Sequence, residues 1–293
     1  MMAMLGACAS ALDNADYIPG PTSGETPDVT DPDVIAENQV KVISFNIRTA
    51  NGDKNTGNAW NIRKKAIPPM FKKENPTVFG VQEALSEQVN FLNSELPEYA
   101  SVGVGRDDGK EKGEFMSIFY KKSDASLVDW GTFWLSQTPD TPSKGWDAAY
   151  NRTATWAIFK HEPTGKRFIY VNTHLDNAGK LARQNGLLLI RDKILEMNKE
   201  GLPVILTADF NSSTDNAIFD CVKAVMQDAR KTCPSTDNHA SFNGWGQSSS
   251  VIDHIFYYGF SGIRFRTVTE SYEGIQYMSD HYPVSAVLEF PEK

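Results

Sequence analysis

Apolar positions along this chain gather in short bursts, and most bursts are the length of a β-strand. Val40-Lys41-Val42-Ile43-Ser44-Phe45 is apolar and β-branched, and Thr77-Val78-Phe79-Gly80-Val81 is a shorter run of the same kind. Further strand patterns cover 114–120, 154–159, 167–172, 202–207, 251–258, 263–268 and 284–290. Helical spacing falls between some of them, at 60–73, 86–96 and 180–198. In the last of these, Leu181, Leu188, Ile190, Ile194 and Leu195 read as one apolar face. Consecutive strand patterns at 99–104, 115–120, 127–135 and 153–160 have no helix between them, so they require antiparallel neighbours. The mixture predicts an α/β fold: a four-layer α/β/β/α sandwich of two mixed β-sheets with helices outside.

The stretch before residue 39 reads differently. Residues 9–38 hold Pro19, Pro21, Pro27 and Pro32 among Gly, Asp, Thr and Ser, the composition of a flexible tether. Residues 1–8 read as a truncated signal peptide, and Leu5-Gly6-Ala7-Cys8 resembles a bacterial lipobox, in which the Cys is lipidated. This predicts a bacterial cell-envelope address with a lipidated Cys8 as the sole link to a membrane. No stretch approaches the roughly 20 apolar residues of a membrane span. From 39 to 293 no linker-like composition recurs and there is no internal repeat, so one domain is expected.

Bulk composition narrows the field. Hydrophobic content of 40% and charged content of 23% in 293 residues belong to an ordinary globular protein with a sizeable core. The net charge of −8 argues against a broad basic surface for tight, nonspecific nucleic-acid binding. It leaves room for a nucleic-acid substrate reached through a divalent cation and a few arginines. Three cysteines are too few for a disulfide framework; Cys221 and Cys233 either pair or stay as thiols.

The chemistry gathers at strand ends. Asn46 closes the first strand, Glu83 follows the 77–81 run, His174 follows 167–172, and Asp209 and Asn211 follow 202–207. Near the C-terminus, Ser279-Asp280-His281-Tyr282-Pro283-Val284 sets an Asp-His pair beside a rigid Pro, just before the last strand. Carboxyl ends of neighbouring strands converge on one rim of a sheet, which brings distant positions together. Cleaving a phosphate ester needs a cation on the non-bridging oxygens, an activated water and help for the leaving oxygen. Hard cations take carboxylate and amide oxygens and keep several waters, so a sparse set of Glu, Asp and Asn suffices. Singly, each residue has an ordinary explanation. Glu83 suits a helix start, Asn211 a helix cap, His174 a structural histidine, Arg152 a surface ion pair and Asp253 a turn.

In order, Phe-Asn, Gln-Glu, Thr-His, Asp-Phe-Asn, Ile-Asp-His and Ser-Asp-His span roughly residues 40–290. The series resembles the endonuclease/exonuclease/phosphatase family, which includes DNase I-like nucleases, apurinic endonucleases, deadenylases, inositol-polyphosphate phosphatases and neutral sphingomyelinases. The stretches 103–115, 131–136 and 144–147 resemble a bacterial, largely uncharacterised branch of it. The resemblance implies Glu83 as the main metal carboxylate, with Asn46 and Asp280 near the ion, which would be Mg²⁺ or Mn²⁺. It implies that Asp209 orients or deprotonates the attacking water and that Asn211 holds the phosphate. His281 would contact the scissile phosphate, kept cationic by Asp253. His174 would be a second phosphate-side imidazole with Glu114 as its partner, and Arg152 would bind a phosphate oxygen through its planar fork. Whether one or two metals act stays open.

His161 and His254 read as structural, and His239 as part of a solvated loop. Trp60, Trp134, Trp146 and Trp245 belong to the core or offer stacking surfaces for bases. The expected activity is that of a metal-dependent phosphoric ester hydrolase acting as a monomer. Its first reading is a phosphodiesterase or nuclease acting on DNA or RNA. The alternatives are hydrolysis of a small phosphoester (sugar-phosphate, inositol-phosphate or phospholipid headgroup) and a non-catalytic envelope binding protein.

Overall fold

The fold comes from a computed structural model that describes residues 34–292. The readings of residues 1–8, with Cys8, and of the tether apart from residues 34–38 lie outside the described residues.

Two six-stranded sheets form the body. The first contains β1 (Gln39–Asn46), β2 (Val78–Gln82), β3 (Tyr99–Val102), β4 (Ile118–Lys121), β11 (Ser261–Thr267) and β12 (Val284–Glu289), in the order β11-β12-β1-β2-β4-β3. The second contains β5 (Ala125–Trp134), β6 (Thr153–His161), β7 (Arg167–His174), β8 (Val204–Asp209), β9 (Gln227–Asp228) and β10 (Asp253–Tyr258), in the order β5-β6-β7-β8-β10-β9. Each sheet has one parallel pair near its centre, β1 with β2 and β7 with β8, and antiparallel pairs around it. Both sheets are therefore mixed, and β1 and β2 lie opposite β8 and β7 across the sandwich.

The four layers follow from side-chain alternation. On β1, Val40 and Val42 point between the sheets, among Ile118, Phe159, Tyr170, Ile205 and Ile255. Ile43 and Phe45 point outward, onto Met70 and Phe71 of α2 (Ile67–Glu74) and Leu92 of α3 (Ser86–Glu95). In the second sheet, Ile169, Val171 and Leu206 point outward onto Leu187, Ile190 and Ile194 of α4 (Lys180–Met197). Central strands covered on both faces read as near-continuous apolar runs. Each such side chain taken out of water contributes roughly 1.5–3 kcal/mol.

Four local expectations are corrected. The single helix expected at 60–73 is split into α1 (Trp60–Arg63) and α2, because Pro68 and Pro69 supply no backbone N–H and fit only a first turn. The buried face of α4 is Ala182, Gly186, Leu187, Ile190 and Ile194, whereas Leu181 and Leu195 are exposed. Leu181 and Ile190 are nine residues apart, about two and a half turns, and so lie on opposite faces. Residues 114–117 are loop, not strand; Phe115 bridges to Ala84 and Gly105. The consecutive strands pair as β3 with β4 and β5 with β6, but the chain changes sheets between β4 and β5. Cys221 and Cys233 are free thiols. No helix among the described residues is long and apolar enough to cross a membrane.

A polar layer sits between the sheets, directly beneath the strand ends that carry the chemistry. Gln82 donates to Asn172 Oδ1 at 2.7 Å and to Ser44 Oγ at 3.1 Å. Asn172 donates to the carbonyls of Val81 and Ser117, and Thr207 donates to Asn172 Oδ1 at 3.1 Å. These bonds join β2 to β7 and β8 and fix one rim of the sandwich against the other. Gly80 makes the approach feasible: a Cβ there would lie 2.5 Å from the Asn172 amide.

Candidate active site

The candidate residues meet above that layer. His174, Asp209 and Asp253 form a lateral row on β7, β8 and β10, since His174 and Asp253 are both register partners of Asp209. Asn46 reaches across from the other sheet and donates to Asp209 Oδ2 at 2.9 Å and to Glu83 Oε1 at 3.1 Å. His281 enters from the loop before β12, its Nε2 3.6 Å from Asp209 Oδ2 and its Nδ1 2.8 Å from Asp253 Oδ2. Five of the six are one hydrogen-bonded group, His174 joins it through Asn211, and the whole opens into a cleft of about 470 Å³.

Three of the eight left-handed non-glycine residues among the described residues lie here. Arg48, Glu83 and Asn211 adopt left-handed backbone at φ 57°, 61° and 50°. Asn tolerates that region, but Arg and Glu are penalised there. Such strain persists where the surrounding structure holds it. Glu83 is held by Thr49 N, which donates to Oε2 at 3.1 Å, and Asn211 by its own N–H, which donates to Asp209 Oδ1 at 2.8 Å.

Electrostatics set the protonation states. Burial lowers the His281 imidazole, but Asp253 and then Asp209 outweigh it and raise the group to about 10. His281 is therefore cationic at neutral pH. Burial, then the Arg152 and Arg106 guanidiniums and His281, hold His174 well below its ordinary value, so it is neutral. Asn211 Nδ2 lies 2.9 Å from His174 Nε2; taking the amide as donor places the proton of the neutral ring on Nδ1. Burial lifts Asp209 to about 7, against the opposing pull of His281.

One expected partnership is corrected. Glu114 does not reach His174; it forms an ion pair with Arg106. His174 Nε2 accepts from Asn211 and lies 3.4 Å from Asp209 Oδ2, and its Nδ1 has no hydrogen-bond partner among the described residues. The reason is the loop at 103–117: Phe115 anchors it beside Ala84, which places Glu114 on the neighbouring guanidinium. Arg152 lies at the cleft wall, its Nε donating to Asp176 Oδ2 at 3.2 Å and its Nη2 to Asn177 Oδ1 at 3.2 Å. His254 points away from the cleft toward Asp228, Phe210 and Phe219, as strand alternation requires.

Sequence reading passed over Arg48, Arg106, Tyr150 and Asp176. Arg48 bridges the carboxylates, with Nε 3.6 Å from Asp280 Oδ2 and Nη1 3.9 Å from Glu83 Oε2. Asp176 accepts the backbone N–H groups of Ala149, Tyr150, Ala178 and Gly179 and so ties the loop that carries Arg152 to the end of β7. Arg48 lies two positions after Asn46 in a motif already noticed. Asp176 likewise lies two positions after His174, but its function, holding backbone from another loop, leaves no chemical signature in the sequence.

Comparison with known proteins bears on the assignment. A model of the endonuclease/exonuclease/phosphatase family matches residues 43–281. The chain belongs to that family. A family member from Bacteroides vulgatus is 37% identical over 86% of this chain and 99% of its own, with a TM-score of 0.82. The mannosyl-6-phosphatase of Bacteroides thetaiotaomicron is 38% identical over 86% of this chain and 100% of its own, with a TM-score of 0.81. Danio rerio TDP2 complexed with a single-strand DNA product, 16% identical over 86% of this chain and 99% of its own (TM-score 0.68), shares the fold.

Members of this endonuclease/exonuclease/phosphatase family are phosphoester hydrolases, and the cleft offers two groups of divalent-cation donors. One is Asp209, Asp253 and His281, whose ligand atoms lie within 4.8 Å of one another. Its imidazole is cationic and already bonded to Asp253, so it suits a cation less well. The other is the carboxylate pair Glu83 and Asp280, with Asn46 alongside, its Nδ2 donating to Glu83 and its Oδ1 accepting from the Arg48 N–H. Burial raises the Asp280 carboxyl, with the Glu83 charge adding to the effect against His281 and Arg48. Two carboxylates converging on one guanidinium form a hard-oxygen donor set that fits a divalent cation.

Proposed function

We propose that this chain is a divalent-metal-dependent phosphoester hydrolase that releases phosphate from the monoester of a small polar alcohol such as a sugar. The carrying observation is that Glu83, Asp209 and His281 line one cleft of about 470 Å³ and are joined beneath it by the buried Asn46 and Asp253. That volume is in the range of small-molecule sites. The activity named for the mannosyl-6-phosphatase relative supports the same reading. The DNA-bound relative carries less weight because it shares the fold alone.

Glu83, Asp280 and Asn46 would hold the cation, Mg²⁺ or Mn²⁺. When bound, it neutralises charge on a non-bridging phosphate oxygen. The remaining work belongs to the chain. Asp209, ionising near neutral pH, takes a proton from the attacking water. His281, positively charged and held by Asp253, stabilises negative charge on the phosphoryl oxygens as the P–O bond to the alcohol breaks. Arg152 faces the same cleft, and neutral His174 with Asn211 flanks Asp209.

Hydrolysis of a DNA or RNA diester is the competing use of the same groups. A parallel screen distinguishes them: phosphate release from hexose phosphates and inositol phosphates against cleavage of single- and double-stranded nucleic acid, all in Mg²⁺. The proposal expects turnover of a small monoester at least about 100-fold above any nuclease activity. Nucleic-acid cleavage with no monoester turnover would overturn it.

A further inference from the structure

Two guanidiniums, not one, face the substrate side of the cleft. Arg106 comes from the loop after β3, and Arg152 immediately precedes β6. Both are more than nine-tenths buried. The ring of Tyr150 contacts both, with its centroid 5.1 Å from the Arg106 guanidinium carbon and 5.7 Å from that of Arg152. Tyr150 itself is half-exposed at the mouth of the cleft.

Each guanidinium is braced on one edge and unspent on another. Arg106 is paired through Nη1 with Glu114, and its backbone carbonyl accepts from Trp134 Nε1 at 2.6 Å and Asn151 Nδ2 at 3.4 Å. Arg152 spends Nε and Nη2 on Asp176 and Asn177. Arg106 Nε and Arg152 Nη1 are buried N–H donors with no hydrogen-bond partner among the described residues. Buried donors left unmade are costly, and both belong to guanidiniums that line the cleft, so each side chain has hydrogen-bonding capacity that a ligand's acceptors could take up.

We propose that Arg106 and Arg152, bridged by Tyr150, cradle the terminal oxygens of a phosphate monoester, and that Arg106 sets the preference for monoesters over diesters. The inference rests on the phosphoester-hydrolase reading above and deepens it. A monoester phosphate near neutral pH carries about −1.5 to −2 charge on three terminal oxygens. A diester carries one negative charge on two. The cation side and His281 face the oxygens that both kinds of ester possess. A second guanidinium fork adds donors for the oxygen that only the monoester has.

The test pairs two esters of one alcohol, p-nitrophenyl phosphate and bis-p-nitrophenyl phosphate, at fixed Mg²⁺. Arg106→Gln is expected to lower kcat/KM for the monoester roughly 30- to 100-fold and for the diester by less than about 5-fold. Arg106→Lys keeps the charge beside Glu114 but loses the fork, and is expected to give the same selective loss at smaller size. Equal losses on both esters would overturn the cradle. A second readout needs no variant. Inorganic phosphate should bind the wild-type protein at least about 30-fold tighter than dimethyl phosphate, by calorimetry in the same buffer. Comparable binding would also overturn it. If the wild-type protein hydrolyses neither ester, the proposed function fails, and the calorimetry still decides whether the cradle exists.

Discussion

At the scale of the residue, two imidazoles sit in opposite states a few ångströms from one carboxylate, Asp209. His281 is raised to about 10 because Asp253 and Asp209 outweigh its burial. His174 is lowered because burial and two guanidiniums act in the same direction. An imidazole with a folded value near 10 and an ordinary value near about 6.5 stabilises the fold fully below the lower number. That contribution is lost as pH rises through about 10. Activity that needs the His281 charge should therefore hold through neutral pH and decline on the alkaline side. Asp253→Asn removes the strongest raising influence, so the alkaline limb of kcat/KM should move to lower pH and activity at pH 8 should fall roughly 10²- to 10³-fold. An unchanged limb in a pH–rate profile would show that Asp253 does not set the His281 charge. At this scale the sequence was informative about strand-end residues and poor about loop residues. Asn46, Glu83, His174 and Asp209 could be placed because each follows an apolar run. The pairing of Glu114 with Arg106 depends on a loop anchored by Phe115, which no periodicity reveals.

At the scale of the element, parallel pairs at the centre of each sheet explain why the site lies where it does. β1 with β2 and β7 with β8 end on the same rim, and β10 starts there in register with β8. The polar layer of Ser44, Gln82, Asn172 and Thr207 locks the two rims together. Gly80→Ala should disturb it, because the new Cβ would meet Asn172 at 2.5 Å and Thr207 at 2.9 Å. The expected loss is about 1–3 kcal/mol by chemical denaturation, with reduced turnover as the rims shift. A variant as stable and active as the wild type would show that the layer tolerates separation. The strand periodicities were legible because period two is unmistakable in a buried sheet. The buried face of α4 differs from the expected one because Leu181, Leu188 and Leu195 recur every seven residues while the packing contact follows 182, 186, 190 and 194.

At the scale of the whole molecule, the proposed substrate is an anionic ester, received by an acidic chain of net charge −8 in a cleft where Arg48, Arg106, Arg152 and His281 offset the carboxylates of Glu83, Glu114, Asp209 and Asp280. The architecture was legible as a four-layer sandwich because runs covered on both faces alternate with helical segments. The size of the cleft was not, since it is set by loops at 103–117 and 135–152 that carry no regular pattern. An envelope address remains our proposal from Leu5-Gly6-Ala7-Cys8. Expressed in a bacterial host with a complete lipoprotein signal peptide placed before Cys8, the protein should sediment with membranes, and Cys8→Ala should release it to the soluble fraction. Identical fractionation of the two forms would remove the anchor from the account. The most direct test of the central claim is Mg²⁺-dependent phosphate release from a hexose phosphate, measured for wild type and Glu83→Gln. We predict that EDTA abolishes the wild-type rate, that added Mg²⁺ restores it, and that Glu83→Gln lowers kcat by roughly 10³-fold while keeping the wild-type melting temperature. Wild-type turnover that persists in EDTA, together with an unchanged kcat in Glu83→Gln, would contradict the account.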